Sequence, residues 1–189
     1  MPSPLSAIVH RSDAELEASL DDIRDAPRDV GTVALIVCRP AYGARQTLDE
    51  GRLDPVLGLV GDTWYSRPNK KTPDGLPHPG KQLTLMGARA ITAVAGDRAL
   101  WPAAGDQLFV DLDLSDDNLA PGAHLSIGSA LLEVTDQPHT GCDKFTERFG
   151  SAASRWLNTP VGRRLHLRGI YARVITGGVV RRGDSIKKR

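Results

Sequence analysis

Residues 138–145, Pro138-His139-Thr140-Gly141-Cys142-Asp143-Lys144-Phe145, bring together the side chains best suited to chemistry in this chain. They include one of only two cysteines. An apolar, strand-like run at 130–134 precedes them. A short helical pattern at 145–149 follows and is closed by Gly150. A thiol on a strand-to-helix turn lies where free N–H groups and the helix dipole favour thiolate. An unperturbed cysteine, with a pKa of about 8.5, is roughly 3% thiolate at pH 7. Lowering that pKa by about two units makes thiolate the major form. Sulfur transfer and soft-metal ligation both require it. The alternative is a buried cysteine acting as a small hydrophobe, but its Pro, His, Thr and Gly neighbours describe a loop rather than a core. Cys38, by contrast, sits inside the apolar strand run 30–39, after Val33-Ala34-Leu35-Ile36-Val37, and reads as structural.

His139, three residues before the thiol, either donates a proton or sets the charge state of Cys142. Otherwise it is a loop histidine fixing the turn. Leu57-Gly58-Leu59-Val60-Gly61-Asp62 is an apolar-glycine run in which glycine permits positive φ or close approach of a ligand. Asp62 either orients a basic group or a ligand amine, or is a turn residue. Residues 64–81 form the longest irregular segment. Its Arg67, Lys70, Lys71 and Lys81, with nearby Arg89, suit an anionic ligand such as phosphate or are simply solvated. The carboxylates Asp111, Asp113, Asp116 and Asp117 lack EF-hand spacing.

Elements must hold these groups in place. Ser12 and Glu15 form a capping-box pattern, and Leu16, Leu20 and Ile23 recur at helical spacing over 13–25. This helix belongs to an N-terminal arm, residues 1–29, that packs on the body of the protein, on a second subunit or on a partner. Strands are expected at 30–39, 46–48, 82–86, 107–113, 125–127, 130–135, 164–167, 168–176 and 179–180, with Gly128-Ser129 as a hairpin turn. Helices are expected at 87–94 and, broken at Gly150, at 144–158. The basic tail, 185–189, reads as a frayed end. Strands and helices do not alternate in a βαβ rhythm. The fold is therefore expected to be mainly β with helices, a barrel or curled antiparallel sheet.

The 189 residues suit one domain that buries a core without staples. A net charge of +1 gives no global electrostatic case for nucleic acid or membrane partners. Two distant cysteines make no disulfide framework, and no CxxC or Cys/His spacing suggests zinc. Residues 1–9 lack the apolar core of a signal peptide, and no run approaches the roughly 20 apolar residues of a membrane span. A cytoplasmic location with reduced thiols is the expectation.

The order of these pieces resembles the MOSC domain, named from the C-terminal domain of molybdenum cofactor sulfurases. The resemblance rests on 31–37 followed by Arg39-Pro40, on Gly58-Leu59-Val60-Gly61-Asp62 and on Gln82-Leu83-Thr84-Leu85-Met86. It continues through Asp117-Asn118-Leu119 with 122–128, through 132–142 ending at Cys142, and through 178–184. It implies a barrel-rich MOSC domain over 30–184 and a pterin dithiolene ligand, the molybdenum cofactor, carrying a phosphate. Cys142 would ligate molybdenum or carry sulfur as a persulfide. Gly61, Asp62, Arg67, Asn118 and Thr140 would meet the cofactor, with His139 beside Cys142 as a catalytic group. This chain departs from the family in having Thr63-Trp64 after Asp62, where Arg-His is usual, so that Arg67 would supply the basic contact. Three functions follow from the resemblance. One is a molybdenum enzyme reducing N-hydroxylated compounds with a separate electron donor. Another is a persulfide carrier fed by a desulfurase whose pyridoxal phosphate belongs to that partner. The third is a cofactor-binding module without turnover.

Overall fold

A computed structural model describes residues 8–69 and 72–189. The elements run α1 (Asp13–Ala18), α2 (Leu20–Arg24), β1 (Val30–Cys38), β2 (Gln46–Leu48), β3 (Glu50–Asp54), β4 (Gly58–Leu59) and β5 (Leu83–Gly87). Then come α3 (Ala88–Ala95), β6 (Leu108–Asp111), β7 (His124–Ile127), β8 (Ala130–Val134), α4 (Asp143–Asn158), α5 (Pro160–Arg164), β9 (Ile170–Thr176), β10 (Gly178–Arg181) and β11 (Ser185–Lys188).

Seven strands close into a barrel in the order β1-β11-β7-β8-β9-β5-β6 and back to β1. Every pairing is antiparallel except β5 with β6, which α3 connects as a crossover. The long β1 closes the barrel by pairing β11 through Val30–Thr32 and then extends beyond it to pair β2 through Ile36–Cys38. A small sheet, β10-β3-β4, flanks the barrel. Closure leaves the barrel strands no free edge.

Alternation along the strands fills two cores. Ile36, Leu85 and Leu108 point into the barrel, and Val37, Met86 and Phe109 point out under the helices. Both faces of these strands are buried, which is why they read as continuous apolar runs rather than as alternating ones. The outer core takes Leu16 and Leu20 from the N-terminal helices and Phe145, Phe149 and Trp156 from α4. The arm is thus packed on the barrel's helical layer.

Some expectations are corrected. The arm helix is broken at Ser19, whose hydroxyl donates to the Leu16 carbonyl at 2.6 Å. Residues 164–167 are no strand: Thr159 caps α5 by accepting from Gly162 N–H, with Pro160 at its first turn. The Thr-Pro pair that stops α4 after Asn158 also starts α5. The tail is no frayed end, because β11 completes the barrel and Ile186 is fully buried. With one apolar residue among basic neighbours, it carried too little periodicity to show as a strand. The break expected at Gly150 is present. Its φ of 87° and ψ of 164° interrupt α4, and a Cβ there would lie 2.9 Å from the His10 ring. No helix among the described residues is long and apolar enough to cross a membrane.

Candidate functional site

The segment 135–142 leaves β8 and is pinned twice. Thr135 N–H donates to the Tyr171 carbonyl, and the Thr135 hydroxyl donates to the Gly80 carbonyl at 2.6 Å. It ends at Cys142, the residue immediately before α4. The Cys142 backbone is extended, and its carbonyl accepts from Phe145 and Thr146 N–H at 2.8 and 3.0 Å. The thiol makes no cap bond, so it stays free and exposed on the wall of a cavity of about 380 Å³. Phe145 and Phe149, packed ring to ring at 4.7 Å in the outer core, hold the first turns of the helix in place.

That cavity is strongly cationic. Arg39, at the end of β1, is held by Asp62. Its Nε and Nη2 reach the two carboxylate oxygens at 2.8 Å each, and its own N–H reaches Oδ2 at 2.9 Å. Asp62 also accepts from Trp64 N–H at 2.9 Å, and its side chain is fully enclosed. Asp62 therefore orients two residues that line the cavity rather than lining it itself. Gly61, with φ of 90°, is the turn that sets Asp62 in place. It faces Cys38 and likewise does not line the cavity.

Arg45, Arg67, Lys81, Lys144 and Arg148 line the same space, and none of them forms an ion pair among the described residues. Arg67 donates to the Thr63 hydroxyl, and Arg148 to the Ala103 carbonyl. Lys144 reaches the Tyr42 hydroxyl at 2.9 Å and lies 4.4 Å from its ring. Arg45 Nε is buried without a partner. Burial, then repulsion from Arg148, Arg39 and Arg67, pushes the Arg45 guanidinium below its usual range. Burial and Arg39 do the same to Arg67. Cations crowded in this way favour an anionic ligand.

Deeper in, Arg168 donates to Asp106 at 2.7 Å and to the Ala104 carbonyl. Asp106 is the one carboxylate on the cavity wall, and burial raises its pKa against the pull of Arg168. His139 stacks on Tyr171 at 4.5 Å with its side chain 7% exposed. Its Nδ1 lies 3.9 Å from Asp106 Oδ1, too far for a hydrogen bond, and both atoms are buried without partners. Burial, then the charges of Arg168, Arg39 and Lys81, holds the imidazole well below its usual pKa. The ring is neutral at pH 7, so it can carry and donate an N–H proton but is no cation for the thiol.

Cys142, His139, Thr140 and Arg67 are thus brought together around one cavity. Asn118 is elsewhere: it donates to the Arg28 and Asp113 carbonyls and accepts from Lys188, tying a turn to β11. Arg89 is also elsewhere, paired with Asp111 and Asp22. Lys70 and Lys71 lie outside the described residues. Sequence reasoning missed Arg39, Arg45, Asp106, Arg168 and Tyr171 as lining residues. For Arg39 a signal existed, since it is a charged residue directly at the end of an apolar strand.

A model of the MOSC domain matches residues 80–187. Two crystal structures share the fold. The YuaD protein from Bacillus subtilis superposes with a TM-score of 0.63 at 18% identity, covering 84% of this chain and 95% of that one. YiiM from Escherichia coli gives 0.54 at 23% identity, covering 84% of this chain and 69% of that one. No curated protein matches the sequence. The matched residues span more than half of the chain and include Cys142 with the strands that position it, and on that ground this protein belongs to the MOSC domain family.

Proposed function

We propose that the cavity binds the molybdenum cofactor, with Cys142 as a ligand to the metal, and that the loaded protein reduces N-hydroxylated compounds. Membership of the MOSC family supports a cofactor-binding or sulfur-related domain. The finer reading rests on one observation: an uncapped, exposed thiol opens into a cavity whose wall carries seven cationic side chains and a single, buried carboxylate.

The residues fit such a ligand. A dithiolene with a phosphate is anionic. The buried, unpartnered Nε of Arg45, with Arg67 and Arg148 beside it, offers the phosphate donors that no protein carboxylate has claimed. No group of three or more His, Cys, Asp or Glu among the described residues suits a metal ion. A metal held here therefore needs ligands of its own, and one soft thiolate from the chain completes them. The bound cofactor would supply two-electron redox chemistry.

Reduction of R–NHOH to R–NH2 and water breaks the N–O bond and consumes two electrons and two protons. The electrons come from a separate donor. Within the chain, Cys142 binds, the arginines orient the anionic end, and the neutral His139 ring holds a proton next to the cavity.

A second reading is favoured by the exposure of Cys142. As a thiolate it attacks a donor persulfide, forms its own S–S bond and releases the donor thiolate. The donor would be a desulfurase that carries the pyridoxal phosphate.

Molybdenum and pterin content, measured after purification from a host that makes the cofactor, separates the two readings. Stoichiometric molybdenum in the wild type, lost in Cys142→Ser, supports the metal-ligand reading. No molybdenum in either protein, with persulfide on Cys142, supports the carrier. Stoichiometric molybdenum with no turnover of N-hydroxylated bases reduces the role to a cofactor-binding module.

A further inference from the structure

A second cavity, of about 360 Å³, lies behind the first, and His139, Thr140 and Arg168 line both. These three shared residues form the partition between the two cavities. The second cavity also holds Asp116 and His166, whose Nε2 lies 2.6 Å from Asp116 Oδ1. Both are open to solvent, with side chains 57% and 25% exposed.

His166 is the only non-glycine residue among the described residues with positive φ, at 49°. A bulky side chain in that conformation is strained and is kept only where its surroundings over-determine it. Here the chain returns on itself at once, with Gly169 N–H donating to the His166 carbonyl at 2.6 Å. Asp116 N–H donates to the Arg164 carbonyl, which fixes the carboxylate against the same turn. The strain thus places an imidazole–carboxylate pair in the second cavity.

His139 is the counterpart in the partition. It feels the charges of Arg168, Arg39, Lys81 and, least, His166, lies 3.9 Å from Asp106 and packs against the Tyr171 ring. Its Nδ1 is buried and unpartnered, as is Asp106 Oδ1.

We propose that the His139 ring passes protons through the partition, from the solvent-fed Asp116–His166 pair in the second cavity to the cavity that holds Cys142. The proton account balances. One ring nitrogen accepts a proton from the His166 side as the other releases one on the opposite side, so the ring stays neutral with its tautomer exchanged, and a flip of the ring restores the first arrangement before the second proton passes. Net imidazolium never has to persist beside Arg168, Arg39 and Lys81. The proposal deepens the reductive reading, which consumes two protons per turnover.

The test does not depend on turnover. With Cys142 alkylated by a bulky maleimide to plug the first cavity, solvent exchange of the His139 ring N–H is followed by NMR on 15N-histidine protein, assigned with His139→Gln. Exchange continues in the wild type and slows by about tenfold or more in His166→Asn, a substitution that tolerates positive φ. His166→Gly gives the same reading should the asparagine variant not fold. The proposal is overturned if plugging alone stops exchange, or if the His166 variants exchange at the wild-type rate. Absence of molybdenum from the wild type would overturn the cofactor reading and leave this measurement standing.

Discussion

Cys142 stands at the cap position before α4 without its thiol bonding to the helix, and that local detail separates the two thiols. Cys38 is buried, beside Gly61 and the Asp62 carboxylate, and its pKa is raised by burial and then by that charge. Cys142 is exposed on a cationic wall. His139 gives the residue scale its sharpest thermodynamic consequence. Its folded-state pKa lies well below the unfolded value of 6.5, so below that pH the unfolded chain binds a proton the folded chain refuses. The stability is complete above about pH 6.5 and falls as the pH drops, by about 1.4 kcal/mol per unit while the folded ring stays neutral. Urea unfolding at pH 7.0 and 5.5 checks this. The wild type loses more stability over the interval than His139→Gln does, and equal losses would show that the ring titrates normally in the folded protein.

At the scale of elements, β11 decides whether the barrel is closed. Ile186 stands opposite Gly31 on β1 and Ile127 on β7, fully buried between them. Ile186→Ala should cost about 3 kcal/mol, the range for emptying an isoleucine site in a core. Denaturant titration that finds under about 0.5 kcal/mol would mean the tail is frayed after all, at the level of an exposed substitution. This strand was illegible because a four-residue strand with one apolar position carries almost no period. The hairpin of β7 and β8 was legible because Gly128-Ser129 sits between two apolar runs, and the break in α4 was legible because Gly150 interrupts a helical pattern. Local chemistry wrote those elements into the sequence. Barrel closure is a long-range pairing of Val30–Thr32 with 185–187, which no local window contains.

At the scale of the whole molecule, a net charge of +1 conceals a segregated field. Arg39 arrives from β1, Arg45 and Arg67 from loops, Arg148 from α4 and Arg168 from the turn before β9, yet all face one cavity. The thiol and His139 could be read from eight consecutive residues, but the cations are spread over about 130 positions and only closure of the barrel assembles them. Most of the carboxylates that balance the count lie elsewhere, and the two near the cavity, Asp62 and Asp106, are spent on Arg39 and Arg168. A small multivalent anion should therefore stabilise the empty protein. Pyrophosphate at a hundred times its Kd adds about 2.7 kcal/mol by mass action. For a chain of this size that raises Tm by about 5 °C or more. Chloride at equal ionic strength should not, because screening acts on the repulsion without filling the donors. The shift should shrink to about a third or less when Arg45 and Arg148 are both changed to Gln, which removes the unpartnered Nε and its neighbour. Cys142→Ser should leave it intact, since the thiol serves the other part of the ligand. Equal shifts in the wild type and the double variant would place the anion elsewhere on the surface, and the cavity's cations would then need a different explanation.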